Sequence, residues 1–311
     1  MSNMIQAIRI HNYGESDVLT LEAIAQPEPQ PNEVLIRVQA AGINPIDWKI
    51  RAGYMKEIFP MPLPFTPGMD VAGIVEAIGA DVKAFQVGQA VYGELRMGAY
   101  AQFATAPQDA IALKPKTLDF VQAASVPMVA MTAYQGLFDY ADLKPGQTVL
   151  IHAASGGVGM FAVQFAKWKG AHVIGTASAA NAEFVQSLGA DQVIDYNATP
   201  FEQVVENVDV VLDTLGSDTQ ARSYSVVKPG GILVSTAAPP NAQKAQEQGI
   251  RAEMMSMKPS TSLLDEIASL LDSGQVKTLV AQTFSLSEAR QAQELSQGGH
   301  VRGKIVLQIN A

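Results

Sequence analysis

Hydrophobic and polar residues alternate along much of the first third of the chain, and this alternation predicts β-strands. In segment 33–40, Val34 and Ile36 fall on one face of such a strand and Arg37 falls on the other, as a half-solvated strand requires. Prolines recur before about residue 115 and disfavour long helices there. Two further segments have strand patterns, 71–78 and 89–92. The sequence therefore predicts an irregular, β-rich domain at this end of the chain.

A different pattern begins at residue 119, where helical periodicity alternates with short apolar runs. Segment 119–139 has a helical pattern that Pro127 should break or kink. The apolar runs have the length of strands and lie at 149–151, 172–176, 192–195, 208–213 and 232–235. This order is typical of βαβ units, so it predicts a parallel sheet. A final strand at 304–309 lies outside the series.

Short motifs mark helix ends and loops. Thr199-Pro200-Phe201-Glu202 combines an N-cap, a proline at the first helical position and a capping-box glutamate, and segment 285–288 indicates another capped helix. Gly189 and Gly274 stand where helices would end. The polar segment 239–248 is interpreted as a loop.

The most informative motif is a glycine loop between an apolar strand and a helix. Gly156, Gly157 and Gly159 would let the backbone turn tightly and approach a pyrophosphate, which would then lie at the N-terminus of the following helix. Ala154 replaces the first glycine of the usual pattern, and this requires that the alanine keep a negative φ. The arrangement predicts a dinucleotide as the ligand.

Composition narrows the class of protein. With 311 residues, 48% hydrophobic and 16% charged, the chain has material for roughly two domains and is too apolar for a disordered protein. The net charge of -9 disfavours nucleic acid as the main partner. No apolar run has the length of a membrane span, and the first 13 residues lack the hydrophobic region of a secretory signal, so we expect a cytoplasmic location. The absence of cysteine removes disulfides and thiolate metal ligands.

Several ordered motifs together carry a family resemblance. They are the segments 41–53, 67–75, the glycine loop, 228–231 and 303–307. With them the chain resembles the zinc-free quinone oxidoreductases of the medium-chain dehydrogenase/reductase superfamily, which include zeta-crystallin and related enone reductases. The resemblance covers essentially the whole length.

The resemblance implies an α/β fold in which a doubly wound Rossmann domain is inserted into a β-rich GroES-like catalytic domain. The implied boundaries are 1–123 for the first part of the catalytic domain, 124–275 for the Rossmann domain and 276–311 for the return to the catalytic domain. It also implies that a nicotinamide cofactor binds in the cleft and that the protein is a homodimer.

A catalytic metal is not expected. Zinc-dependent relatives place a cysteine at the position of Asn44 and a His-Glu pair at the positions of Met69 and Asp70, and neither asparagine nor methionine is a credible zinc ligand. Without a Lewis acid, alcohol oxidation is less favoured than the reduction of activated acceptors. We therefore expect a small hydrophobic quinone or enone as the substrate, with hydrogen-bond donors to stabilise its oxygen.

The end of the second Rossmann strand bears on the choice of cofactor. NAD enzymes usually have an acidic residue there, but segment 175–178 has none, and its absence permits the 2′-phosphate of NADP. The lysine that many relatives carry soon afterwards is missing from segment 179–181. Arg222 is the only Lys or Arg between Lys169 and Lys228. NADPH is therefore the favoured cofactor, with NADH as an alternative.

The resemblance also implies a set of cofactor contacts. They are Ala154, Ser155, Gly156, Gly157, Val158, Gly159, Thr176, Ser178, Tyr196, Leu215, Gly216, Thr236, Ala237, Arg302, Gly303 and Lys304. For Arg302 and Lys304 two interpretations stay open. They could balance the charge of the phosphates, or they could be charges on a solvated strand without a specific partner.

By family position, the candidate catalytic residues are Asn44, Asp47, Tyr54 and Thr132. The Asn44 amide could donate to the cofactor carboxamide or to the substrate oxygen, or it could cap a turn before a proline. Asp47 could touch a ligand or organise its loop by accepting backbone hydrogen bonds. Tyr54 could donate a hydrogen bond or pack beside the cleft, and Thr132 could face the nicotinamide or be an ordinary helix residue.

Two classes of function remain at this level. The first is an NADPH-dependent reductase, supported by an apolar cleft that Trp48, Tyr54, Phe59 and Phe65 imply. The second is an NADPH-binding structural or redox-sensing protein without useful turnover, since hydride transfer needs mainly positioning and no essential acid, base or metal stands out. His152 is a lone histidine next to the glycine loop and is interpreted as a packed structural group.

Overall fold

The computed structural model describes residues 3–309, which form two compact units. The first unit comprises the chain as far as Met128, then Pro259–Gly274 and the part from Thr278 onwards. The second comprises Val129–Lys258 and the short piece Gln275–Lys277. Both ends of the chain therefore contribute to one unit, and the middle of the chain forms the other.

The strands follow in chain order. They are β1 Met4–Ile10, β2 Leu19–Ala25, β3 Glu33–Ile43, β4 Asp70–Ile78, β5 Ala90–Glu94, β6 Phe103–Pro107, β7 Ile111–Leu113, β8 Thr148–Ile151, β9 His172–Ala177, β10 Gln192–Asp195, β11 Val208–Asp213, β12 Val227–Ser235, β13 Arg251–Met254, β14 Val280–Ser285 and β15 Lys304–Gln308.

The α-helices are α1 Pro45–Arg51, α2 Phe120–Ala124, α3 Pro127–Tyr134, α4 Gly157–Trp168, α5 Ala182–Ser187, α6 Ser217–Ser223, α7 Ala242–Glu247, α8 Thr261–Asp272 and α9 Ala289–Gly298. Helix α3 continues as a π-helix over Gln135–Tyr140. Among residues 3–309 no helix combines the length and the apolar character that a membrane crossing needs.

The first unit is built on a sheet in the order β14-β15-β3-β4-β5-β7, with β6 also paired to β3. All its pairs are antiparallel except β14 with β15. The core contains buried residues of β3, β4 and β15 such as Ile36, Val71 and Leu307. The last strand, β15, pairs with β3 through Ile305 opposite Ile43, which confirms that it lies outside the βαβ series.

The second unit has a six-stranded parallel sheet in the order β10-β9-β8-β11-β12-β13. Its first strand in the chain, β8, lies between the second and the fourth. The connections therefore reverse direction at β8, and in open α/β sheets ligands bind outside the carboxyl ends of the strands at this point. The core contains Leu150, Val211 and Leu233 from three neighbouring strands. The five predicted apolar runs are all confirmed as strands of this sheet.

Two local predictions need correction, and a third is confirmed. Segment 199–202 forms only a short 3-10 turn over Phe201–Gln203 without a side-chain cap, because Phe201 turns into the core and β11 begins five residues after the turn. The polar segment 239–248 contains α7, since Asn241 accepts from the Lys244 N–H and caps that helix. The predicted break at Pro127 is confirmed, because α2 ends at Ala124 and the proline begins α3, where it needs no N–H partner.

The segment that carries α8 lies with the first unit, whereas the implied Rossmann boundary at 275 would include it in the second. The Tyr92 hydroxyl donates to the Leu264 carbonyl at 2.6 Å, and the Thr261 hydroxyl donates to the Ile111 carbonyl at 2.9 Å. Leu264 and Ile267 are completely buried. The apolar face of α8 is thus covered by strands that the N-terminal part of the chain supplies.

Candidate active site

The glycine loop occupies the carboxyl end of β8, at the point where the sheet connections reverse. The tight turn is made by Ala153, with φ of 49°, and the Gly156 N–H donates to its carbonyl at 2.9 Å. The prediction that the glycines make this turn is therefore wrong, while the required negative φ of Ala154 is confirmed. A Cβ on Gly159 would lie 2.2 Å from the Ala153 carbonyl oxygen, so this glycine is needed for close packing of α4 against the turn.

Thr176 of β9 holds the loop from the neighbouring strand. Its carbonyl accepts from the Ala154 N–H at 2.9 Å, and its hydroxyl accepts from the Ala153 N–H at 3.3 Å. His152 lies between the Thr176 hydroxyl at 3.2 Å and the Ser223 hydroxyl at 2.9 Å. Burial lowers the pKa of His152 to about 4, so the ring is neutral at pH 7. The interpretation of His152 as a structural group is confirmed.

The start of α4 has the properties of a phosphate site. Gly156 occupies the N-cap position and has no side chain to bind the first-turn N–H groups of the helix. Ser155, Gly157 and Val158 are only partly buried, so these backbone groups are within reach of a ligand. The helix dipole adds positive potential at the same place. The residues present therefore fit the pyrophosphate of a dinucleotide.

A second turn at the carboxyl end of β11 is organised by Asp213, which the sequence analysis did not single out. One carboxylate oxygen of Asp213 accepts from the N–H groups of Leu215 at 3.0 Å and Gly216 at 2.9 Å. The other accepts from the Gln220 amide at 3.0 Å and the Ser235 hydroxyl at 2.8 Å. An aspartate at a strand end three residues before a glycine is the signal that could have found it.

This aspartate fixes the backbone of several predicted cofactor contacts. Leu215 is exposed, and Gly216 has φ of 72°, which only glycine adopts without strain. At the end of β12, the Thr236 N–H donates to the Asp213 carbonyl at 2.9 Å, and the Ala237 N–H donates to the Ser235 hydroxyl at 3.2 Å. These residues follow β11 and β12, which lie in the order β8-β11-β12 in the parallel sheet. They are therefore at the carboxyl ends of the strands, where the glycine loop also lies.

Three residues were related to the cofactor by the sequence, namely Ser178 after β9, Tyr196 after β10 and Arg222 on α6. Ser178 is partly buried, and its hydroxyl accepts from the Asn181 amide at 3.2 Å. Tyr196 is exposed, and its N–H donates to the Ala177 carbonyl at 3.2 Å. Arg222 pairs with Glu202 and with Asp218, each at 2.8 Å, so two carboxylates already balance its charge.

In the first unit, Asn44 lies between β3 and α1 at the centre of a buried polar cluster. Its amide nitrogen donates to an Asp70 carboxylate oxygen at 2.9 Å, and its amide oxygen accepts from the Lys304 ammonium. The ammonium also donates to the Ile43 carbonyl at 2.8 Å and lies 3.5 Å from the same Asp70 oxygen. Asn44, Asp70 and Lys304 are 1%, 0% and 4% exposed.

Asp47 organises the loop that carries Asn44. Its carboxylate accepts from the Asn44 backbone N–H at 2.8 Å and from the Tyr100 hydroxyl at 2.7 Å. Burial raises the pKa of Asp47 to about 6, although both hydrogen bonds oppose the rise. Asn44 and Asp47 therefore form a capping box at the start of α1, and the Asn44 side chain also bonds to Asp70 and Lys304.

Lys304 is the residue whose surroundings differ most from expectation. The interpretation as a charge on a solvated strand is wrong for it, because β15 is an interior strand that places the side chain beside Asn44 and Asp70. Arg302 is exposed. Between them, Gly303 has φ of 80°, and a Cβ there would lie 2.4 Å from the Leu279 carbonyl oxygen.

Glu94 is a second residue that the sequence analysis missed. It is directly opposite Asp70 in the antiparallel pair of β4 and β5, it is 4% exposed, and its Oε2 has no hydrogen-bond partner. Burial raises the pKa of Glu94 to about 8, and the charges of Asp70 and Asp47 add to the rise. Glu94 is therefore mostly protonated at pH 7. No local sequence pattern marks it.

The remaining candidates lie outside this cluster. Tyr54 is 69% exposed and packs edge to face on Trp48, with ring centroids 6.1 Å apart. Phe65 is buried in a small hydrophobic cluster that Phe59 flanks. Thr132 is buried on α3, in the second unit. Within residues 3–309 there is no group of three or more His, Asp or Glu side chains that could hold a metal ion.

Comparison with known proteins identifies related families and structures. A family model described as an alcohol dehydrogenase GroES-like domain matches residues 30–116, and one described as a zinc-binding dehydrogenase matches residues 188–307. The chain is 35% identical to 2-methylene-furan-3-one reductase of Solanum lycopersicum over 95% of this chain and 77% of the relative.

Solved structures agree with these matches. The quinone oxidoreductase of Coxiella burnetii superposes with a TM-score of 0.92 at 35% identity, covering 99% of this chain and 100% of that one. The quinone oxidoreductase of Escherichia coli, solved in complex with NADPH, superposes with a TM-score of 0.90 at 31% identity, covering 97% of this chain and 99% of that one. The predicted GroES-like and Rossmann architecture is confirmed.

Proposed function

This chain belongs to the medium-chain dehydrogenase/reductase superfamily and is an oxidoreductase, and we propose that it transfers hydride from NADPH to quinones or α,β-unsaturated carbonyls without a metal ion. The observation that carries the proposal is the Asn44 cluster. Where zinc-dependent relatives are expected to hold metal ligands, this chain places an amide between an ammonium and a carboxylate. Such a group can stabilise a delocalised oxyanion by hydrogen bonding.

The loop geometry supports a nicotinamide cofactor, which would supply the hydride. The half-buried backbone at the start of α4 would bind the pyrophosphate, and the Asp213 turn would hold the neighbouring backbone in place. Ser178 presents no negative charge to a 2′-phosphate, but Arg222 is engaged by Glu202 and Asp218. We therefore propose a preference for NADPH because no carboxylate at this position repels its 2′-phosphate. Since Arg222 is not free to bind this phosphate, NADH is also used.

The proposed substrates are small, hydrophobic and uncharged. The ammonium of the buried cluster around Asn44 is already bonded to Asn44, Ile43 and Asp70, so it is not available to pair with a charged group of an anionic substrate. Tyr54, Ile58 and Leu63 expose apolar surface in the segment that follows α1. A small hydrophobic acceptor fits both features, whereas nucleic acid fits neither. The homodimer, the cytoplasmic location and the implied domain boundaries stay predictions.

The test is oxidation of NADPH and NADH by the purified, chelator-treated protein with ortho-quinones, para-quinones and short-chain enones. We expect turnover with NADPH, slower turnover with NADH, and no dependence on added zinc. NADPH binding without turnover on any acceptor would support the alternative of a structural or redox-sensing protein. Activity that appears only with added zinc would contradict the metal-free mechanism.

A further inference from the structure

The side-chain amide of Asn44 is held between opposite charges. Its oxygen accepts from the Lys304 ammonium, and its nitrogen donates to Asp70 at 2.9 Å. Turning the amide by half a rotation would place its oxygen against a carboxylate and its NH₂ group against an ammonium. That orientation is disfavoured electrostatically in a site where all three residues are at most 4% exposed. The orientation of Asn44 is therefore fixed.

The Lys304 ammonium also polarises the amide. A cation on the carbonyl oxygen draws electron density from the nitrogen, and hydrogen bonds that are linked in this way strengthen one another. The amide nitrogen has two hydrogens, and the bond to Asp70 uses one of them. The ammonium therefore makes the second hydrogen a stronger donor than that of an asparagine without a cation on its oxygen.

Lys304 is fully engaged in this arrangement. An ammonium has three hydrogens, and its three acceptors are the Ile43 carbonyl at 2.8 Å, the Asn44 amide oxygen, and Asp70 at 3.5 Å. All of these belong to the first unit. In this geometry the Lys304 ammonium binds the Asn44 amide. The family resemblance implies a different role for Lys304, namely contact with a cofactor phosphate.

We propose that Lys304 and Asp70 are positioning residues, which orient and polarise Asn44 so that its second N–H stabilises the acceptor oxygen during reduction. This inference rests on the proposed function. When bound, the reduced nicotinamide would supply a hydride, one proton with two electrons, as one of its C–H bonds breaks and a bond to that hydrogen forms at a carbon or oxygen of the acceptor. An electron pair of the conjugated carbonyl system moves to oxygen, where Asn44 donates, and water later supplies the proton. The acceptor is reduced and the nicotinamide is oxidised.

The experiment compares Lys304→Met with wild type, and with Lys116→Met, an exposed lysine of the same unit, as the matched control. The measurements are kcat with a quinone, kcat with a less activated enone, and the Kd for NADPH. We expect kcat to fall about 10-fold with the quinone and about 100-fold with the enone, because a weaker acceptor depends more on stabilisation of its oxygen. We expect the Kd for NADPH to change less than about 3-fold.

Removing one partner of a buried ion pair can also disturb folding. The double variant Lys304→Met/Asp70→Asn removes both charges and keeps the shape of the site. For this variant too, we expect kcat to fall more with the enone than with the quinone. An equal loss with both acceptors would indicate a purely structural role and overturn the inference. A rise in the NADPH Kd of 10-fold or more with kcat unchanged would also overturn it, in favour of the phosphate contact. If wild type turns over neither acceptor, the proposed function itself fails.

Discussion

Glu94 and Asp70 face each other across the β4–β5 pair, and both are buried. Residues directly opposite on antiparallel strands project to the same face of the sheet, with Cβ atoms roughly 5 Å apart. Two ionised carboxylates at this separation, beside Asp47, would repel each other strongly. The proton that Glu94 retains at neutral pH removes one negative charge from the cluster.

The first prediction concerns stability against pH. The folded pKa of Glu94 is about 8 and its ordinary value is 4.5, so the folded state holds a proton that the unfolded state releases between these values. The free energy of unfolding therefore falls as pH rises from 4.5 to 8, by an amount on the order of a few kcal/mol. We expect Glu94→Gln to reduce this fall, measured by urea unfolding at pH 5, 7 and 9.

The exposed Glu57→Gln is the matched control and should leave the pH dependence of wild type unchanged. If Glu94→Gln and wild type lose stability in parallel between pH 5 and pH 9, the carboxyl does not hold its proton in the folded state. That result would also mean that Glu94 adds a negative charge to the cluster at neutral pH.

A second prediction concerns the hydrogen bond between Tyr100 and Asp47. Tyr100→Phe removes a donor to a buried carboxylate, so we expect a loss of about 1.5–3 kcal/mol at pH 7. The pKa of Asp47 should rise above its present value of about 6, because this bond favours the ionised form. The hydrogen bond stabilises the ionised carboxylate, which is less populated at pH 5 than at pH 7. The loss of unfolding free energy in Tyr100→Phe should therefore be smaller at pH 5.

Tyr92→Phe provides the control for this experiment. Its hydroxyl donates to the neutral Leu264 carbonyl at 2.6 Å, so its removal should cost less and should not depend on pH over this range. Equal losses at pH 5 and pH 7 for Tyr100→Phe would mean that Asp47 keeps one protonation state over this range.

The third prediction concerns the close approach of α4 to its loop. In Gly159→Ala the new Cβ would lie 2.2 Å from the Ala153 carbonyl oxygen and 2.7 Å from the Ala154 Cα, and both atoms belong to the backbone. The loop must shift, so we expect a stability loss of about 1–3 kcal/mol and NADPH binding weakened at least about 10-fold. Gly298→Ala has open space around the added Cβ and should change neither thermal unfolding nor the calorimetric Kd. Unchanged NADPH affinity in Gly159→Ala would indicate that the nucleotide binds elsewhere.

Local patterns were sufficient to predict β3, β4, β5 and β15 of the first unit and β8 to β12 of the second, because alternating or continuous burial of a strand is visible as a pattern of apolar residues. They did not predict β1, β2, β6, β7, β13 and β14. The buried cluster could not be predicted in this way. Lys304 and Asn44 are 260 positions apart, and Asn44 and Asp70 are 26 apart, so only the paired strands bring them together. The sequence contains the motif that carries Lys304, but it does not indicate whether the ammonium faces solvent, phosphate or an amide.

The glycine loop illustrates a different limit. Its position between β8 and α4 follows from the sequence, yet the left-handed residue is Ala153, which no propensity would select. Thr176 of the neighbouring strand accepts hydrogen bonds from the Ala153 and Ala154 N–H groups, and these bonds hold the backbone in this conformation. Tertiary contacts therefore decide which residue of the loop makes the turn.

The last prediction concerns the choice between the two nicotinamide cofactors. Ser178 follows β9 and carries no charge, so Ser178→Asp would place a carboxylate where the 2′-phosphate is proposed to bind. Repulsion between two anions raises the free energy of the NADPH complex, whereas the same carboxylate can accept from the ribose hydroxyls of NADH. We expect the KM for NADPH to rise about 10- to 100-fold and the KM for NADH to stay the same or fall. Ser178→Asn has nearly the same shape without the charge and should affect NADPH only slightly. Equal losses with both cofactors in Ser178→Asp would show that this residue does not lie at the 2′ position, because a local distortion acts on both nucleotides while a charge acts on one.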